Sequence, residues 1–329
     1  MTSPLKKRSL AMLAASALVL TGSGCAAPTS DVAPASDRGE SRSISHQFGT
    51  TEVTGTPERV VALGITDSDT LLALGIEPVA LRPWNGIDSV GAWAEDELGD
   101  AKPEVLSGTD EITVEQVAAL DPDLIIDVSD AVDRERYDLL SKVAPTVVRP
   151  KGYPDYGVPW QVSTRLIGKA TGKSEEAERL VEDTEAQIAH TRSKYPQLEG
   201  KTGVAVLPNP EGGWWPYTPA DSRGQFMKSL GFEMPPALAA KDDGSSFYLE
   251  VSEEQTDLLE SDVVVAIIQP GQQKLVEDNA LFQNLDVAER DDVVLAASAE
   301  LGTAMSYGTV LSIPYVLDEL APRIAEKVG

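Results

Sequence analysis

The most unusual local composition in the chain is Gly212-Gly213-Trp214-Trp215-Pro216-Tyr217, with Arg223 close behind. Aromatic residues make up only 5 % of the 329 residues, so two adjacent Trp beside a Tyr stand out. Three further segments have a similar content: Arg82-Pro83-Trp84, the stretch from Lys151 to Tyr156 closed by Trp160, and Tyr307 between Gly302 and Gly308. Flat apolar rings suit stacking on an organic ligand, and Arg offers a rigid fork of donors to anionic oxygens. The chemistry is that of binding. Two roles are open to these rings, ligand contact or filling of the cores, and Trp84 and Trp160 divide evenly between them. Gly and Pro around Trp214, Trp215 and Tyr217 mark a loop and favour ligand contact there. Arg82 and Arg223 are open to a ligand or to nearby carboxylates. Trp93 falls in no such segment.

Catalytic and metal chemistry find little support. The chain has one Cys and two His, His46 and His190, too few for a thiolate cluster or a zinc site. Ala304-Met305-Ser306-Tyr307-Gly308 loosely matches a nucleophile elbow, but the preceding strand ends well upstream and no His follows Ser306. A secreted α/β hydrolase is therefore the weakest of the readings. There is no Gly-rich phosphate loop with Lys. Lys plus Arg number 27 against 53 Asp plus Glu, a formal charge of −26, which argues against nucleic acid as a partner.

Alternating strand and helix signals position these segments. Val60 to Leu63 is a short continuous apolar run, as in a strand buried on both faces, and Asp67 to Leu74 has helical spacing stopped by Gly75. Pro78 to Leu81 and Leu124 to Ile126 are further strands, with a helix over Thr113 to Leu120 between them. The second half repeats the order, with strands at Val204 to Leu207, Val263 to Ile268 and Val293 to Ala296 and helices at Gln225 to Leu230 and Ser252 to Leu259. Leu74-Gly75-Ile76-Glu77 is mirrored by Leu230-Gly231-Phe232-Glu233, and Thr113-Val114-Glu115-Gln116 by Ser252-Glu253-Glu254-Gln255. This predicts two α/β lobes with parallel sheets. Between them Ser174 to Ser193 is the clearest helix, capped by Ser174, with Ala177, Leu180, Val181, Thr184 and Ile188 on one face. Ligands in such sheets bind beyond the carboxyl ends of the strands, which is where the aromatic segments fall.

The first residues are an address. Lys6, Lys7 and Arg8 precede an apolar run, Leu10 to Leu20, too short to span a bilayer, and Cys25 follows Gly22-Ser23-Gly24. This resembles a bacterial lipoprotein signal, with Gly22 where Leu is usual, and implies lipidation of Cys25. The boundaries expected are a signal peptide over 1–24, a disordered tether over 25–43, an N-terminal lobe over 44–160, a linker with the long hinge helix over 161–196, and a C-terminal lobe over 197–329.

His46-Gln47-Phe48-Gly49-Thr50-Thr51-Glu52-Val53, Pro57-Glu58-Arg59-Val60-Val61-Ala62-Leu63, Leu71-Leu72-Ala73-Leu74-Gly75-Ile76-Glu77-Pro78-Val79 and Val117-Ala118-Ala119-Leu120-Asp121-Pro122-Asp123-Leu124-Ile125-Ile126 resemble the iron-siderophore substrate-binding proteins of ABC importers. Gly168 to Lys173 and Leu230-Gly231-Phe232 agree with it as well. The resemblance implies two Rossmann-like lobes joined by one long helix, a class III periplasmic-binding-protein fold, with the ligand in the cleft and little closure on binding. It implies a ferric siderophore as ligand, and the loops after strand ends offer Arg82, Trp84, Trp160, Trp214, Trp215, Tyr217, Arg223 and Tyr307 as the residues to contact it. Iron would enter only inside the siderophore, with no other cofactor and no protein ligand to the metal. A heme or cobalamin carrier would use the same fold and cleft. The resemblance further implies that Glu115 and Glu254, one per lobe in a first helical turn, dock onto the two halves of a permease dimer. We expect a monomer anchored outside the cytoplasm.

Overall fold

Residues 40–84, 87–106 and 112–329 are described by a computed structural model. Cys25 and the signal segment lie outside these residues. The first element is an antiparallel hairpin, β1 (Ser41–His46) and β2 (Gly49–Thr54). The tether expected over 25–43 therefore overlaps β1 at 41–43, where alternate residues turn inward and Ile44 is fully buried. Hairpin pairing satisfies backbone groups that a polar composition alone would leave to water.

The N-terminal sheet has β3 (Val60–Ala62), β4 (Ala80–Leu81), β5 (Glu104–Val105), β6 (Leu124–Asp127) and β7 (Thr146–Val148), all parallel and ordered β5-β4-β3-β6-β7. Every residue of β3 and β6 is buried, as expected of strands covered on both faces. The C-terminal sheet has β8 (Gly203–Pro208), β9 (Trp214–Pro216), β10 (Val263–Ile267) and β11 (Val293–Ala296), ordered β11-β10-β8-β9, with only β9 antiparallel.

Two departures from the sequence expectation bear on the site. Trp214 to Pro216 is a strand and not a loop, because its backbone pairs with β8 and with Val251. Residues 302–308 are no Gly-rich loop either: a helix covers Ala299–Tyr307, and Gly302 lies where a Cβ would press on the Ile267 side chain. The glycine lets this helix approach the sheet closely. The segment Glu253–Leu259 forms a 3-10 helix without a side-chain cap from Ser252, whereas Thr113 and Gln116 make the full reciprocal capping box before Val114–Ala119.

Helices Trp160–Thr171 and Ser174–Lys194 are joined at Gly172, which takes φ +80°. Ser174 is the first helical residue, and Lys173 before it makes no side-chain cap. The 21 residues of the longer helix span about 30 Å. Near its start Ala177 and Leu180 join the core that holds Val60 and Ile126, and near its end Ile188 packs on the core that holds Val265 and Leu320. That second core also contains Leu72 and Trp93 from the N-terminal half, so apolar packing runs continuously from one sheet to the other. Among the described residues no helix is long and apolar enough to cross a membrane.

A polar pin accompanies this packing. The Asp69 carboxylate, fully buried, accepts a hydrogen bond from the Trp93 indole at 2.7 Å and from the Thr309 hydroxyl at 2.6 Å. Trp93 also meets Tyr307 edge-on, with centroids 5.0 Å apart. Trp93→Phe removes one donor from a buried carboxylate and should lower unfolding free energy by about 1–3 kcal/mol, read from urea titrations.

Candidate functional site

The carboxyl ends of β3, β4 and β6 open into a cleft of about 960 Å³, mouth included, at the junction with the C-terminal half. Thr66 and Thr70 enter it after β3, Trp84 after β4 and Ser129 after β6. Tyr156, Val158 and Trp160 close one side, and Asp221, Ser222, Arg223, Gln225, Phe247 and the run Ser306 to Thr309 close the other. This position, beyond the carboxyl ends of parallel strands and between two halves, is that of an ordinary small-molecule site.

Local structure explains each wall. Gly64 allows the Asp67 carboxylate to reach the turn after β6, since a Cβ there would stand 2.2 Å from Asp67 Oδ2. Asp67 then accepts from the backbone N–H groups of Val128 and Ser129 at 2.7 and 3.2 Å, and from the Ser129 hydroxyl at 2.7 Å. On the opposite wall Asp221 is the N-cap of helix Ser222–Ser229, accepting from the Arg223 N–H at 2.8 Å. The same carboxylate takes the Arg223 side chain in a fork, Nε at 2.6 Å and Nη2 at 2.7 Å. Arg223 Nη1 donates to Ser306 Oγ at 3.2 Å, and the guanidinium lies 3.5 Å from the Tyr217 ring centroid. Burial works against the Arg223 charge, yet Asp221 outweighs it and raises the pKa further. Gly308, at φ +55°, ends the helix Ala299–Tyr307 where a Cβ would lie 2.5 Å from Ser222 Cβ. The Tyr307 hydroxyl accepts from the Trp84 N–H at 3.0 Å, tying the two walls together.

Four of the eight ligand candidates line the cleft: Trp84, Trp160, Arg223 and Tyr307. The other four do not. Arg82 is ion-paired with Asp130, whose carboxylate also engages the Tyr156 hydroxyl. Tyr217 is buried beneath Arg223 and supports it from below. Trp214 is 1 % exposed, stacks near Phe282 at 4.7 Å and donates its indole N–H to Thr256 Oγ1 at 3.0 Å, so it is core. Trp215 points to the other face of β9 and meets Tyr248 edge-on at 6.2 Å, outside the cleft lining. Strand alternation separates the two Trp, which a loop would have kept together. Ser306 is no elbow nucleophile: it sits inside a helix and donates to the Gly302 carbonyl at 2.8 Å. Glu115 and Glu254 are exposed and lie outside the cleft lining.

Thr66, Thr70, Ser129 and Gln225 were missed by residue type, since hydroxyl and amide side chains are too common to stand out, and Phe247 was missed because it lies in a segment with no strand or helix signal of its own. The position after a strand end was the available signal. Trp93 was missed because its value lies in a partner, Asp69, distant in sequence.

Asp67 and Asp69 are pushed up to about 6, chiefly by burial, against an ordinary 3.8. A raised acid favours the fold while protonated, so their contribution is full below pH 4 and is lost as pH rises through about 6. Asp69→Asn should flatten the fall in unfolding free energy between pH 4 and 7, measured by denaturant titrations at each pH. Trp214→Phe should cost about 1–3 kcal/mol of stability, seen as a lower urea midpoint, through the lost indole contact and volume.

The family model described as periplasmic binding protein matches residues 60–299. The Fe(3+)-citrate-binding protein YfmC of Bacillus subtilis is 29 % identical over 267 residues, covering 78 % of this chain and 79 % of that protein. The crystal structure of a periplasmic solute-binding protein from Mycobacterium smegmatis superposes with a TM-score of 0.78 at 29 % identity, covering 88 % of this chain and 99 % of that one. PiaA of Streptococcus pneumoniae in complex with ferrichrome gives a TM-score of 0.76 at 25 % identity, covering 87 % and 98 %. These are binding proteins and not enzymes, in keeping with a cleft that holds stacking and hydrogen-bonding groups. The chain belongs to the periplasmic binding protein family.

Proposed function

We propose that the chain captures a ferric siderophore in the cleft and delivers it to an ABC importer. The observation that carries this is the lining itself, with the faces of Trp84, Trp160 and Phe247 set among hydroxyls and one guanidinium. Such walls suit an organic shell, and no group of three His, Cys, Asp or Glu suited to a metal ion occurs among the described residues. Iron is thus cargo inside its chelator. Relatives named for Fe(3+)-citrate and a structure holding ferrichrome support the same ligand class. Heme would find no His or Cys in the lining, and its candidate axial ligands there are the hydroxyls of Tyr156 and Tyr307, of which Tyr307 already accepts from the Trp84 N–H.

Arg223 and Tyr307 contact the ligand in this reading, with Trp84 and Trp160 stacking on it. Glu115 and Glu254, exposed near the starts of their short helices, dock the two lobes on a permease dimer through rim charges that set encounter and register. The protein acts as a monomer outside the cytoplasm, held to the membrane by a diacylglyceryl group on Cys25, since two acyl chains suffice for stable anchoring.

Ferric siderophores should change the intrinsic Trp fluorescence of the purified protein with saturable dependence. Trp84→Ala and Trp160→Ala should each weaken that binding by about 1–3 kcal/mol. Tighter binding of heme or cobalamin than of every ferric siderophore tried would replace the ligand class. Glu115→Arg with Glu254→Arg should abolish iron uptake by cells and leave solution affinity intact, and normal uptake would remove the docking role. Cys25→Ser should release the protein from the membrane fraction.

A further inference from the structure

Charge in and around the cleft separates the classes of ferric siderophore. Among the described residues the only charged side chains in the lining are Asp221 and Arg223, and they neutralise each other. Arg223 has little left to offer an anion. Its Nε and Nη2 are held by Asp221, its Nη1 is directed to Ser306, its face rests on Tyr217, and its side chain is only 11 % exposed. Two more arginines stand beside the cleft residues, and each already has a carboxylate: Arg82 pairs with Asp130, and Arg149 with Asp155, the neighbour of Tyr156. Among the described residues no lysine lines the cleft. Behind the lining, the carboxylates of Asp67 and Asp69 hold the hydroxyls of Ser129 and Thr309. The whole chain carries −26.

Three singly charged hydroxamates neutralise Fe(III), whereas three doubly charged catecholates leave three negative charges on the complex, and ferric citrate complexes are anionic as well. An anion moved into this cleft loses water and meets no uncompensated cation, so its desolvation is not offset. A neutral complex gives up less hydration. It still offers apolar faces to Trp84, Trp160 and Phe247, and partly charged oxygens to the neutral polar groups of Thr66, Thr70, Ser163 and Gln225.

We propose that the cleft selects ferric complexes of zero net charge, the trihydroxamate class, against tricatecholate and citrate complexes, a selection that rests on the ferric-siderophore reading above.

The test is a fluorescence titration of the full folded domain with a neutral ferric trihydroxamate, a ferric tricatecholate and ferric citrate. The trihydroxamate should bind at least roughly 30-fold more tightly than either anion, and the gap should shrink as salt screens the repulsion. A second arm uses Gln225→Lys, which adds one uncompensated cation to the lining. It should narrow the gap by roughly tenfold, mostly through tighter binding of the tricatecholate. Equal or tighter binding of either anionic complex to the unaltered protein overturns the charge selection and leaves the siderophore function standing. A gap that Gln225→Lys leaves unchanged, with the variant folded by circular dichroism, overturns the electrostatic cause. Failure of all three complexes to bind overturns the selection and the ferric-siderophore reading together.

Discussion

A carboxylate taken fully out of water is tolerated only where donors reach it, and Asp69 draws its donors from both halves of the molecule. Trp93 comes from the segment after β4, and Thr309 from the turn that follows the helix Ala299–Tyr307. Separating the halves would strip Asp69 of Thr309, strip the Trp84 N–H of the Tyr307 hydroxyl, and expose the shared apolar packing of Leu72 and Trp93. The long helix alone would leave the halves free to rock. The pin and the bond from the Trp84 N–H to the Tyr307 hydroxyl tie together the walls that carry Trp84 and Tyr307.

The cleft itself follows from the placement of caps and glycines. Asp221 fixes Arg223 because one carboxylate both caps the helix and accepts the guanidinium fork. Gly64 and Gly308 let two loops approach where any side chain would collide. The result is a site rich in aromatic faces and hydroxyls whose ionic groups are satisfied within the protein.

The sheets were legible before the fold was known, and the site only in part. Continuous apolar runs at Val60, Leu124 and Val263 specify strands buried on both faces, because no other short element needs so unbroken a run. The spacing of Ala177, Val181 and Thr184 specifies the long helix for the same local reason. Trp84 and Trp160 sit in segments that a strand end or a helix start must deliver to the cleft. Trp214 and Trp215 misled, since a strand sends neighbours to opposite faces and a loop does not, and β9 exists only because β8 and Val251 lie alongside.

Sequence by itself thus determined the α/β class, the central buried strands of both sheets, the long connecting helix, the family, and the strand ends at which the cleft opens. These depend on periodicity, capping and turn chemistry, which act over a few residues. Tertiary structure alone decided which rings face the cleft, that Trp93 belongs to the lobe junction, and that Arg82 and Arg223 are already paired. Most of those outcomes depend on a partner far away in the chain: Asp69 meets Thr309 across 240 positions and Arg82 meets Asp130 across 48, whereas Arg223 takes its carboxylate from Asp221 two residues away and gains only Ser306 from a distance, across 83. Side-chain type records what a residue can do, and only the fold brings up the partner that decides whether it does so.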